Sequence, residues 1–194
     1  YNENGVLVRP APIGGLRPHS VRAGYAGFGG NGHIGRLNLT HQFYQAFGED
    51  TLNPIAGRQT TINAQMAAVE ASIDIDWMRF RSSWFYASGD NDPLDGTATG
   101  FDAIFDNPDF AGGQFSYWVR QGIIPGNALT LLKSRLSLLP NLATSKGEGN
   151  ANFVNPGLQL FNVGYDAELL PQLKAILNAN YLEFANTNVL EVLL

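Results

Sequence analysis

The sequence predicts an all-β protein, an antiparallel transmembrane β-barrel, in which residues 1–194 form one domain of about eight strands. Apolar and polar residues alternate with a period of two over unusually long runs, as they do in strands with one apolar face. No run approaches the ~18 apolar residues that a membrane-spanning helix needs. Charged residues make up 15% of the chain, below the roughly 25% of soluble domains.

The first predicted hairpin joins residues 20–28 to residues 33–47 through the turn-forming stretch Gly-Gly-Asn-Gly at 29–32. The second of these strands places polar residues, including Arg36, opposite an apolar row that consists of Leu37, Leu39, Phe43 and Phe47. A strand of 15 residues would extend about 50 Å, well beyond the five or six residues of a typical soluble strand. This length favours a strand that crosses a membrane and continues past it.

The second predicted hairpin pairs residues 60–74 with residues 77–88 through a tight turn at 74–76. In its first strand the apolar positions change parity after Ala68, which predicts a β-bulge there. In its second strand Arg79 and Arg81 lie opposite an apolar row. Aromatic residues near the strand ends suit the interfacial girdle of a barrel, with ordinary core aromatics as the alternative; they are Trp77, Trp84 and Tyr86.

The third predicted hairpin covers residues 157–184, with its turn near Pro171. Leu173, Leu177 and Tyr181 share one face, while the other carries Lys174 and the asparagines at 178 and 180. The alternation alone leaves open whether the apolar face meets lipid or a protein core.

Between the second and third hairpins, residues 89–148 break the alternation and predict one long loop or plug, with a short amphipathic helix over 128–139. A membrane barrel has short turns at one end and long loops at the other. The chain begins without a signal peptide and ends on an apolar run, so we expect it to be part of a longer chain.

Residues that carry chemistry are scarce. His19, His33 and His41 form no metalloprotease or hydrolase motif, so we expect no enzyme. The net charge of −5 disfavours a nucleic-acid partner. The residues Asp90, Asp92 and Asp95 resemble half of a calcium-binding loop but lack its closing glutamate. An acidic turn is therefore the main interpretation, a loop held by a structural calcium ion is the alternative, and no other cofactor is expected.

Three arginines occupy predicted polar-face positions: Arg36, Arg79 and Arg81. If that face lines a lumen, cations there would favour anionic solutes. The alternative is that these side chains pair with Glu70, Asp74 or Asp166 and only hold the interior together.

Two segments carry a family resemblance: WFYASGDNDP at 84–93 followed by GFDAIFD at 100–106, and the hairpin up to residue 184. They resemble the alginate-export-type, porin-like outer-membrane barrels of bacteria. The resemblance implies a Gram-negative outer-membrane location, a barrel with more strands than this chain holds, and export of an acidic polysaccharide.

The resulting expectation is an outer-membrane pore or exporter that contacts membrane lipid and passes polar or anionic solutes, such as oligo- or polysaccharides. One alternative is a structural barrel subunit that anchors a cell-envelope complex, its lumen plugged by residues 89–148. Another is a soluble carbohydrate-binding β-sandwich, although sandwich strands are shorter.

Overall fold

A computed structural model describes residues 2–8, 17–53, 55–102 and 153–193. Apart from one short C-terminal helix, the regular structure of these residues is all strand. The elements are β1 (Asn2–Val8), β2 (Arg17–Ile34), β3 (Leu37–Asp50), β4 (Thr60–Ile75), β5 (Met78–Ala87), β6 (Thr97–Ala98), β7 (Leu158–Leu170), β8 (Leu173–Glu183) and α1 (Asn188–Leu193).

The strands form one sheet in the order β1-β2-β3-β4-β5-β7-β8, and each neighbouring pair in this order is antiparallel. The two-residue strand β6 lies parallel to the start of β4. The predicted all-β, antiparallel fold is therefore confirmed. No helix within the described part of the chain is long and apolar enough to cross a membrane.

The turns divide the sheet into two ends. Short turns at 35–36, 76–77 and 171–172 lie at one end, which we call the turn end. The chain leaves β3 at Asp50 and β5 at Ala87 at the opposite end, which we call the loop end, and we call the described residues 88–102 and 153–157 the long connection. Of the predicted 89–148 insertion, the structure describes residues 89–102, and the helix expected over 128–139 lies outside the described residues.

The first turn differs from its prediction. Strand β2 continues through the glycines at 29–32 and pairs with β3 as far as Ile34, and the turn falls at Gly35 and Arg36. Gly35 has φ +62°, which glycine adopts without strain. Of the earlier glycines, Gly29 is closely packed, since a Cβ there would lie 3.1 Å from the His41 carbonyl oxygen and 3.2 Å from Gln42 Cγ, whereas Gly32 has open space around it.

The β-bulge expected near Ala68 is wrong, because β3 and β4 pair without a shift from Leu37 opposite Ile73 to Asp50 opposite Thr60. The apolar set of β4 changes parity because the described chain covers the side chains of one face at the loop end, whereas its apolar side chains near the turn end lie on the opposite face. Near the loop end, Ile62 and Ala64 are buried on one face, whereas Ile73 is exposed on the other face near the turn end.

The hydrophobic core covers one face of the sheet at the loop end. We call this side, which carries Val21, Ala46, Ile62 and Leu160, the inner face, and the opposite side the outer face. Residues 98–101 and 153–154 and the helix residue Val189 pack onto the inner face. We call this part of the inner face the covered zone; its remaining core residues are Ala23, Ala64, Phe85, Ala87 and Leu158.

The outer face carries large apolar side chains that the described chain leaves exposed. Val163 is 66% exposed and Leu177 is 64% exposed. By register, the exposed outer-face residues include Phe28, Leu37, Phe47, Ile73, Phe80, Phe161 and Tyr181. The predicted alternation of β5, β7 and β8 is therefore confirmed.

Candidate functional site: the polar zone of the inner face

Near the turn end the inner face changes from apolar to polar. Strand pairing places Glu70 beside Ser83, and Ser83 beside Asn162. The same ladders place Asp74, Arg79 and Asp166 side by side across β4, β5 and β7. We call this region the polar zone; its other members are Ser72, Arg81, Lys174, Asn178 and Asn180.

Arg81 lies at the centre of the polar zone, and its side chain is only 9% exposed. Its guanidinium donates to Asp166 Oδ2 over 3.2 Å and to Asn178 Oδ1 over 2.7 Å, and its Nε lies 4.0 Å from Glu70 Oε2. Gly164, which faces Arg81 across the ladder, makes this path possible because a Cβ there would collide with the guanidinium. Arg81 therefore ties β5 to β7 and β8.

Arg79 is closer to the turn end and about half exposed. Its Nε and Nη2 both donate to the Asp74 carboxylate, the second over 2.9 Å, and Asn38 Nδ2 donates to the same carboxylate over 2.9 Å. This two-bond geometry fixes the orientation of the pair, although an exposed pair adds little to stability.

The structure thus brings together two of the three predicted arginines. Arg36 lies apart from them in the exposed turn between β2 and β3, not on a strand face. Arg79 and Arg81 each have a carboxylate partner, as the alternative interpretation expected. Because the opposite charges lie within hydrogen-bonding distance, the net field of the two arginines is weak.

A cavity of about 360 Å³ opens where the polar zone meets the turn end. Its lining includes Asp74, Arg79, Asp166 and Lys174, and the turn and strand residues Asp76, Trp77 and Glu168. Trp77 thus lines this cavity. Trp84 and Tyr86, in contrast, lie on the outer face with their rings stacked at 6.1 Å.

The acidic turn after β5 is built from side chains that cap backbone groups. Asp90 is fully buried and accepts from the Asp92 N–H over 3.1 Å, while Asp95 accepts from the Thr97 N–H over 2.6 Å. Burial raises the pKa of Asp90 to about 6. Within the described ranges, no three His, Cys, Asp or Glu side chains are grouped so that they could hold a metal ion. The structure therefore does not bring Asp90, Asp92 and Asp95 together as ligands.

Two buried features had no signal in the sequence. His19 Nδ1 and Asp50 Oδ1 lie 2.6 Å apart with both side chains fully buried, although the residues are far apart along the chain. The Tyr25 hydroxyl donates to the Asp102 carbonyl over 2.8 Å, and Asp102 Oδ2 accepts from the Phe153 N–H over 2.9 Å. The two Asp102 bonds hold the long connection to β2 and join its two described parts, whereas the His19–Asp50 contact joins β2 to β3.

No protein-family model, curated protein or solved structure matches this chain. The resemblance to alginate-export-type barrels therefore stays a prediction from the sequence.

Proposed function

We propose that this chain forms part of a bacterial outer-membrane β-barrel, whose outer face contacts lipid and whose polar zone lines a passage for polar solutes. The observation that carries the proposal is the apolar outer face, on which Phe80, Val163 and Leu177 are between 47% and 66% exposed. Contiguous apolar patches beyond a few hundred Å² are rare on soluble monomers and mark protein or membrane contacts.

The strand lengths support lipid as the partner. β5 has 10 residues and β8 has 11, and a tilted strand needs about 9–11 residues to span a bilayer. Toward the loop end the outer face also carries a polar pair, in which Gln45 Nε2 donates to Asn63 Oδ1 over 2.9 Å, beside the exposed Phe47. An outer face that is mainly apolar along its strands is typical of a barrel wall.

The inner face supports a water-filled interior. Charged side chains of the polar zone lie on the inner face, back to back with the apolar row, as in a barrel with a polar lumen. A soluble β-sandwich would need a second sheet packed on the first, whereas the described strands belong to one sheet.

The pairing of the arginines supports polar solutes as a class and gives little support for anions in particular. Arg79 and Arg81 are partnered by Asp74 and Asp166, and Glu70 lies beside Arg81. A lumen whose cations are already neutralised has a weak preference for anionic solutes.

A second candidate is a plugged barrel that anchors a cell-envelope complex. The observation that favours it is the covered zone, where the long connection packs through buried residues such as Phe101 and Phe153. In a pore, the same packing would narrow the passage at the loop end.

Two measurements test the proposal. The protein should require detergent, and its mobility on SDS gels should change on boiling, as expected of a folded barrel. Reconstituted into planar bilayers, a pore should give discrete single-channel conductance. Folded protein without conductance would favour the plugged candidate, and ready solubility in plain buffer with no heat-dependent shift would contradict both.

A further inference from the structure

We infer that the inner face of β2 and β3 binds an uncharged oligosaccharide, with Tyr44 as the surface on which a sugar ring stacks. The residues concerned, which we call the neutral strip, are Asn31, Thr40, Gln42 and Tyr44, and strand register places all four on the inner face. The inference names a class of solute for the proposed function and rests on it, because it takes the inner face to be in contact with polar solutes.

The neutral strip differs in charge from the polar zone beside it. No Asp, Glu, Lys or Arg lies on the inner face over residues 27–33 of β2 or 38–44 of β3. On the neighbouring strand β4, Glu70 lies opposite Thr40, and its Oε2 accepts from Ser83 Oγ over 2.6 Å. A surface without charges of its own gives no electrostatic advantage to an ionic ligand, so we expect an uncharged one.

The Tyr44 ring is available to a ligand. It is 39% exposed, and it lies against the backbone of Gly27, its partner across the ladder, where a Cβ would collide with the ring. Within the described part of the chain, Tyr44 contacts no other aromatic ring and its hydroxyl forms no hydrogen bond. Tyr25 on the same face is different, because its hydroxyl donates to the Asp102 carbonyl. Tyr44 thus has the exposure of a contact residue and none of the bonds of a structural one.

Polar groups without partners lie next to this ring. Gln42 and Thr40 follow Tyr44 at every second position of β3, so the three side chains extend along about 14 Å of the strand. Asn31 lies opposite Thr40 on β2. The side chains of Asn31, Thr40 and Gln42 are exposed, and none of them forms a hydrogen bond to another described residue.

The ring and the polar groups together decide the class of ligand. Amide and hydroxyl side chains donate and accept, and the hydroxyls of a sugar do the same, so each side chain of the neutral strip can bond to one. The C–H face of a sugar ring is apolar and can cover an aromatic ring. A purely aliphatic ligand would instead remove the amides from water without replacing their hydrogen bonds.

The test uses maltohexaose as the probe and calorimetry on the full chain, folded in an amine-oxide detergent, which has no sugar headgroup, or in buffer if the chain dissolves without detergent. We expect saturable binding that a polyethylene glycol of the same length does not reproduce. Tyr44→Ala should weaken binding about two- to ten-fold, and Gln42→Ala should weaken it by a similar factor. Tyr44→Phe keeps the ring and should stay within about two-fold of the unmodified chain.

The matched control is Phe47→Ala. Phe47 is 52% exposed on the outer face of the same strand, and its ring lies against Gly24 across the same ladder, so it repeats the arrangement of Tyr44 on the opposite face. This variant should leave binding unchanged.

Four results would each overturn the inference: no saturable binding, unchanged binding in both Tyr44→Ala and Gln42→Ala, an equal loss in Phe47→Ala, or tighter binding of a polyuronate of the same length. None of them alters the gel shift or the detergent requirement that tests the barrel. Saturable, Tyr44-dependent binding by a chain that dissolves in plain buffer would support the neutral strip and contradict the barrel.

Discussion

The covered zone and the polar zone lie on the same face of the same strands, yet they are stabilised in different ways. In the covered zone, Ile62, Phe85 and Leu160 are buried beneath a connection that returns from far along the chain. In the polar zone, the same strands β4, β5 and β7 present Glu70, Arg81 and Asp166, and Arg81 pairs with both carboxylates. The comparison teaches that the inner face of these strands is apolar where the long connection packs on it and carries charges that pair within the sheet toward the turn end.

The outer face does not divide in the same way along these strands. It is apolar behind the polar zone, at Ile73 and Phe80, and behind the covered zone it still carries the exposed Phe47 and Phe161. Lipid contact along the outer face would explain why its large side chains are apolar behind both zones. The predictions below test the two halves of the comparison in order of decreasing effect.

The largest effect is expected in the covered zone. Phe153 is fully buried against the sheet, and its ring lies 6.3 Å from that of Tyr25. Phe153→Ala should cost about 3–5 kcal/mol in the stability of the packed connection, measured as lost hydrogen-exchange protection over residues 88–102. The control is Leu94→Ala in the same connection, where Leu94 is 52% exposed, and it should stay within about 0.5 kcal/mol. Equal losses in both variants would mean that the core assignment is wrong.

The next effect separates the two faces of the sheet. Leu177 lies on the outer face, and its replacement by arginine at mid-strand should cost about 2–4 kcal/mol of barrel stability in lipid. Thr40 lies on the inner face opposite Glu70 and is exposed, so Thr40→Arg should cost much less. Denaturant unfolding in liposomes measures both. A larger penalty for Thr40→Arg would contradict the assignment of faces.

Within the polar zone, the two arginines should differ. Arg81→Met leaves Asp166 with only the distant Lys174, and because the zone is partly open we expect a loss of about 2 kcal/mol, less than the 3–5 of a fully buried pair. Arg79→Met breaks an exposed pair and should cost less than about 1 kcal/mol. The same unfolding assay compares them, and a larger loss at Arg79 would show that burial does not set the ranking.

The last effect, similar in size to that of Arg81→Met, is a pH dependence at Asp90, beside the covered zone. Its pKa is raised by burial from 3.8 to about 6, so the folded state binds the proton more tightly than the unfolded state. The resulting stability is complete below pH 3.8 and is lost as the pH rises through about 6. Hydrogen-exchange protection of residues 88–102, corrected for intrinsic rates, should therefore be on the order of 2 kcal/mol greater at acid pH. Asp90→Asn should remove this dependence; its persistence would assign the effect to another group.

The sequence was sufficient for features that depend on local alternation. The faces of β5, β7 and β8 and the hairpin turn beside Pro171 follow from a period of two, and the structure has them as predicted. The first turn could not be placed because the sequence does not distinguish a glycine within a strand from a glycine that forms a turn. The close approach of His41 and Gln42 to Gly29 becomes visible only once the strands are paired.

The candidate site was only partly predictable. Arg79 and Arg81 could be assigned to one face, but their partners come from β4, β7 and β8, and Asp166 is far from Arg81 along the chain. The covered zone depends on contacts such as Tyr25 with Asp102, which no local pattern encodes. The parity change at Ala68 was visible, but it marks the boundary between the two zones of the comparison and not a bulge.

The central claim is that the outer face meets lipid and the inner face of the polar zone meets water. The chain has no cysteine, so single cysteines along β8 can each carry one nitroxide spin label without background. In liposomes, we expect the accessibility to oxygen and to a water-soluble nickel complex to alternate with a period of two. Labels at 175, 177 and 179 should be accessible to oxygen, and labels at 176, 178 and 180 to nickel. High nickel accessibility at all six positions, without alternation, would contradict the account.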